Sequence, residues 1–250
     1  MTMSPGTRAL PALAVAILLF AALTVGCKDD ATNPGGVPPS TDTKPAPPSP
    51  TANKSGMRFV TVNAATAAKG QASYAGCAGC HGAKAEGKTG LAPRLASESF
   101  LAAASDEFLI NTIKNGRAGT TMIPWKNTFK DDEIENIVAW LRHTTPSEPA
   151  ELNNAPLKGS AENGEKLYRE ICSACHGRSG AGFQETANGT GIGRKGFLDG
   201  ASNGFIRYIA KNGKSQTAMR PFDLKAKTAV ANLSDQEIDD VVAHLRKSAW

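Results

Sequence analysis

"CAGCHG" (Cys77–Gly82) and "CSACHG" (Cys172–Gly177) write one pattern twice in a single chain. Each copy has two cysteines three positions apart and a histidine directly after the second. The chain has five cysteines, and only Cys27 belongs to neither copy. On a helix, residues three apart share a face, so each hexapeptide presents two sulfurs and an imidazole together.

The likeness extends outward from both hexapeptides. "GQASY" from Gly70 answers "GEKLY" from Gly164, and "FLINTIKNG" (Phe108–Gly116) answers "FIRYIAKNG" (Phe205–Gly213). "MIPW" (Met122–Trp125) answers "MRPF" (Met219–Phe222), and "DDEIENIVAWLR" (Asp131–Arg142) answers "DQEIDDVVAHLR" (Asp235–Arg246). Landmarks keep their order while loop lengths differ, as in a tandem repeat. The division this predicts is a first domain over 57–146, a linker over 147–159 and a second domain over 160–250. A core built from so short a copy is marginal unless something else completes it.

The periodicity is helical. Ile134, Ile137, Val138 and Leu141 follow the i, i+3, i+4, i+7 spacing, and so do Ile238, Val241, Val242 and Leu245. Ser234 with Glu237 forms a capping-box start, and Gly116 and Gly213 stand at helix ends. No alternating run demands a sheet. The expected fold class is all-α, with three or four helices in each copy.

C-x-x-C-H is the attachment pattern of c-type haem. Cys77 and Cys80, then Cys172 and Cys175, would form thioethers to the vinyl groups of two covalently bound haem c. His81 and His176 would lie beneath the irons as ligands. A zinc ribbon needs its two C-x-x-C pairs far closer in sequence than these. A thioredoxin-type pair needs a βαβ context that is absent here, and two disulfides across such short loops leave the histidines unexplained. Met122 and Met219 stand at matching depth after the histidines, each before x-Pro-aromatic. A lone methionine is ordinarily core filling, but two retained at equivalent loop positions point to the second axial ligands. His143 and His244 do not align with each other and read as helix-surface or helix-contact residues.

Each copy resembles a class I cytochrome c domain over about residues 62–144 and 160–248. The resemblance rests on Gly70 with Tyr74 and Gly164 with Tyr168, on C-x-x-C-H-G, on the methionine loop and on a last helix ending Trp140-Leu141-Arg142. It implies a compact fold whose first and last helices cross beside the haem, and the pair is similar to dihaem cytochromes of the c4 or dehydrogenase-associated type. The family's proline whose carbonyl orients the proximal histidine corresponds to Pro93. The second copy, "GTGIGRKGF" (Gly189–Phe197), has no such proline, so another carbonyl must serve His176. His244 replaces the aromatic of the last helix, and the second copy has one more residue before its first cysteine.

Irons held by His and Met are six-coordinate and closed to substrate. The implied function is single-electron carriage, not catalysis, between redox proteins: a donor dehydrogenase or cytochrome complex, and an acceptor oxidase or cytochrome. A dihaem enzyme of the peroxidase or thiosulfate-oxidising type is the alternative, and it would need one iron that opens.

The N-terminus reads as an export signal over 1–26. The apolar run Ala9–Val25 follows Arg8 and ends in "LTVGC", similar to a lipoprotein cleavage box. Cys27 would then carry a lipid and anchor the chain on the periplasmic side of a bacterial membrane. The proline-rich stretch over 27–56 cannot bury enough apolar surface to offset its ordering entropy and reads as a disordered tether. The formal charge of +5 has no basic stripe with interleaved aromatics, so nucleic acid is not an expected partner. Lys211, Lys214, Arg220, Lys225 and Lys227 gather around the Met219 loop as a candidate docking face for an acidic partner.

Overall fold

The computed structural model describes residues 57–250. The expected export signal, the expected lipid-anchoring Cys27 and the expected proline-rich tether lie outside the described residues. The first copy contains α1 (Ala64–His81), α2 (Glu98–Ala103), α3 (Asp106–Asn115) and α4 (Asp131–Thr144). In the second copy α5 (Ala161–Leu167) runs through a π-helical turn (Tyr168–Cys172) into α6 (Ser173–His176). The chain continues with α7 (Lys195–Leu198), α8 (Asn203–Asn212) and α9 (Asp235–Lys247). Among the described residues there is no β-strand, only two isolated bridges, and the fold is the expected pair of all-α cytochrome c-like domains. No described helix is long and apolar enough to cross a membrane.

Side-chain caps fix where the helices begin. Asn63 Oδ1 accepts from the Ala65 and Thr66 amides at 2.9 Å each. Ser105 and Ser202 cap α3 and α8 alike, each accepting from a phenylalanine amide at 3.0 Å. The capping box predicted at α9 is present: Ser234 Oγ accepts from the Glu237 amide at 3.2 Å, and Glu237 Oε2 accepts from the Ser234 amide at 2.8 Å. A cap of this kind contributes about 1 kcal/mol.

In each copy the first and last helices cross. Every residue of the two apolar patterns, Ile134 to Leu141 in α4 and Ile238 to Leu245 in α9, is buried. The crossings are close because Gly70 and Gly164 have no side chain. A Cβ on either would stand 1.8 Å from a backbone oxygen, that of Asn136 in α4 or Asp240 in α9. Tyr74 and Tyr168 lie beside these crossings, donating from their hydroxyls to the carbonyls of Gly82 (3.0 Å) and Gly177 (2.8 Å).

The extra residue of the second copy is absorbed by the π-helical turn. It falls between Tyr168 and Cys172, where one wider turn takes up an insertion without displacing the haem-attachment motif. Both tyrosines therefore reach the same carbonyl, one residue beyond the motif histidine.

The two copies belong to one compact unit and meet across a pseudo-two-fold interface. Phe100 packs edge-on to Phe205 with ring centroids 6.1 Å apart, and the equivalent Phe197 packs edge-on to Phe108 at 6.4 Å. Phe108 and Phe205 meet at the centre, 5.0 Å apart. Burying an aromatic ring of this size contributes about 1.5–3 kcal/mol. Such reciprocal contacts are the mark of an isologous interface, here formed within one chain. The segment between the copies is laid along α8: the Arg207 guanidinium donates to the Asn153 and Ala155 carbonyls at 2.7 and 2.8 Å and pairs with Asp239.

Candidate functional site

Both hexapeptides lie at the ends of the first helix of their copies, so cysteines and histidine share a helix terminus. No disulfide joins Cys77, Cys80, Cys172 or Cys175; Cys77 and Cys172 are half-buried, Cys80 and Cys175 exposed. Burial, and secondarily the neighbouring cysteine, pushes the Cys77 thiol up to about 11 and the Cys172 thiol up to about 12. A redox-active C-x-x-C needs the opposite, a depressed pKa, so the thioredoxin-type reading has no support here. Among the described residues no three His, Cys, Asp or Glu side chains converge as a metal-binding group.

Each motif histidine is held by one backbone carbonyl. His81 Nδ1 lies 2.9 Å from the Pro93 carbonyl, and His176 Nδ1 lies 2.8 Å from the Thr190 carbonyl. A carbonyl only accepts, so Nδ1 carries the proton and the lone pair remains on Nε2, the tautomer a metal requires. Burial lowers both imidazoles below the ordinary histidine range, the carbonyl bond opposes this, and the charge of Lys214 adds to the lowering. Both rings are thus neutral at pH 7. The second copy replaces the proline carbonyl with that of Thr190, brought close because Gly189 has no side chain: a Cβ there would stand 2.9 Å from His176 Nδ1. Sequence reasoning missed Thr190, whose only signal was the glycine-rich loop around it.

The methionine loops are built to one plan. The amides of Arg117 and Lys214 donate to the Met122 and Met219 carbonyls at 2.8 and 2.9 Å. The amides of Met122 and Met219 donate to Thr120 Oγ1 and Thr217 Oγ1 at 3.1 and 3.2 Å. Gly116 and Gly213, both at positive φ, admit these loops against the helix ends. Both methionines are half-buried. Trp125, stacked on Phe129 at 5.3 Å, returns the first loop to α1, within 3.5 Å of where a Gly76 Cβ would stand, next to Cys77. Met57, the other described methionine, is buried away from these loops' repeat positions.

Each methionine loop also docks on the other copy. Ser99 Oγ donates to the Gly213 carbonyl at 3.0 Å, Ser97 Oγ meets Ser215 Oγ at 3.0 Å, and Arg94, beside Pro93, bonds Gln216. In return, Gln184 Nε2 donates to the Gly119 carbonyl at 2.7 Å, and Arg117 Nη1 donates to the Gly196 carbonyl at 3.0 Å. His143 is exposed on α4, and His244 packs on Tyr168 with ring centroids 5.4 Å apart.

The five-cation cluster expected around Met219 is broken up. Lys211 pairs with Asp235 at 2.6 Å and Asp223 at 3.4 Å, and Lys214 turns into the interface over the Phe100 ring, 4.6 Å from its centroid. Arg220, Lys225 and Lys227 remain exposed.

Comparison with known proteins agrees with this geometry. Residues 65–141 match the family model for cytochrome c oxidase, cbb3-type, subunit III, and residues 161–249 match that for cytochrome c. A cbb3-type cytochrome c oxidase subunit CcoP of Rubrivivax gelatinosus is 27% identical over 139 residues, covering 56% of this chain and 42% of the relative. The FixP subunit of Bradyrhizobium diazoefficiens is 31% identical over 120 residues, covering 44% of this chain and 38% of its own length. This chain thus spans less than half the length of these curated relatives. Among solved structures, a chain of the reducing HAO-like protein complex of Kuenenia stuttgartiensis overlaps with a TM-score of 0.48 at 20% identity, over 77% of this chain and 99% of that one. With a thiol pair and a correctly tautomerised imidazole in each copy, the residues fit haem c, and the chain belongs to the class I c-type cytochromes as a tandem pair of domains carrying two covalently bound haem c.

Proposed function

We propose that this protein carries single electrons between membrane-associated redox proteins on the periplasmic side of a bacterial membrane. Bound haem supplies an iron that exchanges one electron at a time. The chain's own residues do the rest. Cys77, Cys80, Cys172 and Cys175 would tether the group, and His81 and His176, oriented by the Pro93 and Thr190 carbonyls, would ligate its iron. Met122 and Met219 would supply the second ligand in each copy and leave no position for substrate. The observation that carries this reading is the identical construction of the two methionine loops.

The partners that fit are a donor dehydrogenase or cytochrome complex and an acceptor oxidase or cytochrome. The relatives' names as cbb3-type oxidase subunits support a respiratory setting. Attachment to the membrane through lipidated Cys27 rests on the sequence alone. Carbon monoxide added to the fully reduced protein tests the closed-site reading: neither haem should bind it rapidly. Rapid binding at one haem would overturn carriage in favour of catalysis. Met122→Ala and Met219→Ala should each remove one methionine–iron charge-transfer band and open one haem to carbon monoxide.

A further inference from the structure

Each methionine loop has one residue in the left-handed region at its tip: Gly119 at φ 71° in the first copy and Gln216 at φ 59° in the second. The two stand at equivalent positions, three residues before Met122 and Met219. Glycine adopts this backbone freely, and glutamine only against a steric cost. Each tip is joined to its methionine by a threonine. The Thr217 hydroxyl donates to the Lys214 carbonyl at 2.7 Å and accepts from the Met219 amide at 3.2 Å. Thr120 makes the same pair of bonds to Arg117 and Met122, at 2.7 and 3.1 Å. Tip and methionine thus share one small bonded ring in both copies.

Both tips are gripped from the other copy, by an arginine of the segment that orients its motif histidine. Arg94 follows Pro93, whose carbonyl holds His81, and its guanidinium bonds the Gln216 side chain across the interface. Its Nε donates to the Ala96 carbonyl at 2.6 Å, which fixes the direction of the side chain. Arg194 lies four residues after Thr190, whose carbonyl holds His176. It is buried, stacked on the Trp250 ring at 4.2 Å from the centroid, and it bonds Gln184. Gln184 Nε2 in turn donates to the Gly119 carbonyl at 2.7 Å. Arg194 also lies against Gly119 itself: a Cβ there would stand 2.5 Å from Arg194 Nη1. The glutamine changes sides between the copies, yet each tip meets the same pairing of arginine and glutamine.

We propose that Arg94 and Arg194 are positioning residues that act across the interface: Arg94 holds the loop of Met219, and Arg194, with Gln184, holds the loop of Met122. The segment that orients one histidine thereby also sets how firmly the other copy's methionine is held. A methionine leaves its iron when its loop swings away, and a loop fastened by a charge-assisted hydrogen bond swings away less often. The proposal rests on the reading of Met122 and Met219 as the second ligands to haem iron.

The test is replacement of methionine by cyanide at each ferric iron of the full-length holoprotein. The iron–sulfur bond breaks, an iron–carbon bond forms, and the iron keeps its oxidation state. The Met122→Ala and Met219→Ala proteins assign the two methionine–iron bands. Arg94→Ala should speed loss of the Met219 band roughly tenfold, the effect of one charge-assisted hydrogen bond, and leave the Met122 rate unchanged. Gln184→Ala should do the reverse, speeding loss of the Met122 band alone. Gln216→Glu keeps a partner for Arg94 and should not replace faster than the wild type. Gln216→Gly removes the same bond from an exposed position, with the residue that the first copy has there. It should repeat the Arg94→Ala result even if Arg94→Ala loses its fold, and the two substitutions together should be no faster than either. Equal acceleration at both irons, acceleration at the mutated copy's own iron, unchanged rates, or a faster Gln216→Glu protein overturns the proposal. Absence of the two bands from the wild-type protein overturns the ligand reading and the proposal with it. Two intact bands with unmoved rates overturn the positioning across the interface alone.

Discussion

The helix crossing of the first copy is closed by Tyr74 against Trp140, with ring centroids 4.1 Å apart. That of the second is closed by Tyr168 against His244 at 5.4 Å. An open cleft of about 220 Å³ lies beside the second crossing, lined by Tyr168, His244 and Trp250, among others. The two crossings share a glycine contact, a tyrosine and a last-helix arginine, so the difference isolates what the indole adds. Trp140 is buried at its crossing and His244 half-buried at its own, while Trp250 donates its indole N–H to the Ser179 carbonyl at 2.7 Å nearby.

A second contrast lies beneath these crossings. Arg142 donates from Nε to Asp106 Oδ1 at 2.6 Å and to the Leu101 and Ala104 carbonyls at 3.1 and 2.9 Å. The other oxygen of Asp106 accepts from the Phe59 and Val60 amides at 2.7 and 2.8 Å, which ties down the segment before α1. In the second copy Arg246 does the same work with a neutral partner, donating to Asn203 Oδ1 at 2.9 Å and to the Leu198 and Ala201 carbonyls. The first copy therefore buries an ion pair where the second sets its arginine against a neutral amide.

The largest expected effects set the crossings against each other. Trp140→Ala should destabilise the protein by about 3–5 kcal/mol, and His244→Ala by only about 1 kcal/mol; denaturant unfolding of the full chain measures both. Equal losses would mean that the indole adds nothing to the first crossing. Next comes the arginine pair. Arg142→Met strands the buried Asp106 carboxylate and should cost about 3–5 kcal/mol. Arg246→Met leaves only Asn203 and two carbonyls unpaired, at about 1–3 kcal/mol. If Arg246→Met proves the more damaging, the ionic character of the first pair is irrelevant.

Smaller effects sharpen what the copies share. Tyr74→Phe and Tyr168→Phe should each cost about 1 kcal/mol by thermal unfolding. Similar losses would show that the π-helical turn keeps the second tyrosine as well placed as the first. The smallest effect is on pH dependence. Burial lowers the His244 pKa, with Glu165 opposing and Arg169 adding to the shift. A histidine depressed in the folded state contributes stability that is complete above its ordinary pKa and declines as the pH falls toward the depressed value. Stability should therefore decline below about pH 6.5, and the His244→Phe protein should lose that part of the decline. An unchanged acid limb would remove His244 from the account.

Much of the site was legible in the sequence because its parts are local. Cys77, Cys80 and His81 lie within one helical turn, and the repeat showed Met122 and Met219 as equivalents. Pro93 stood close enough in sequence to be matched to His81. Asp106 was missed because its partner Arg142 is 36 residues away, and neither residue departs from its local helical pattern. Thr190 was missed because a backbone carbonyl leaves no trace in side-chain identity. The cation cluster was misread because sequence proximity to Met219 does not say that Lys214 points across an interface.

The sequence by itself determined two helical copies, the two C-x-x-C-H motifs that fit haem c, and the spacing that puts them on helix ends. Those are short-range matters, settled by helical periodicity and covalent reach. Only the tertiary structure decided that the extra residue before Cys172 becomes a π-helical turn, that each methionine loop docks on the other copy, and that Lys214 turns onto the Phe100 ring of the other copy. Such features arise from packing between segments about a hundred residues apart, where complementarity of shape and charge, rather than local preference, selects the arrangement.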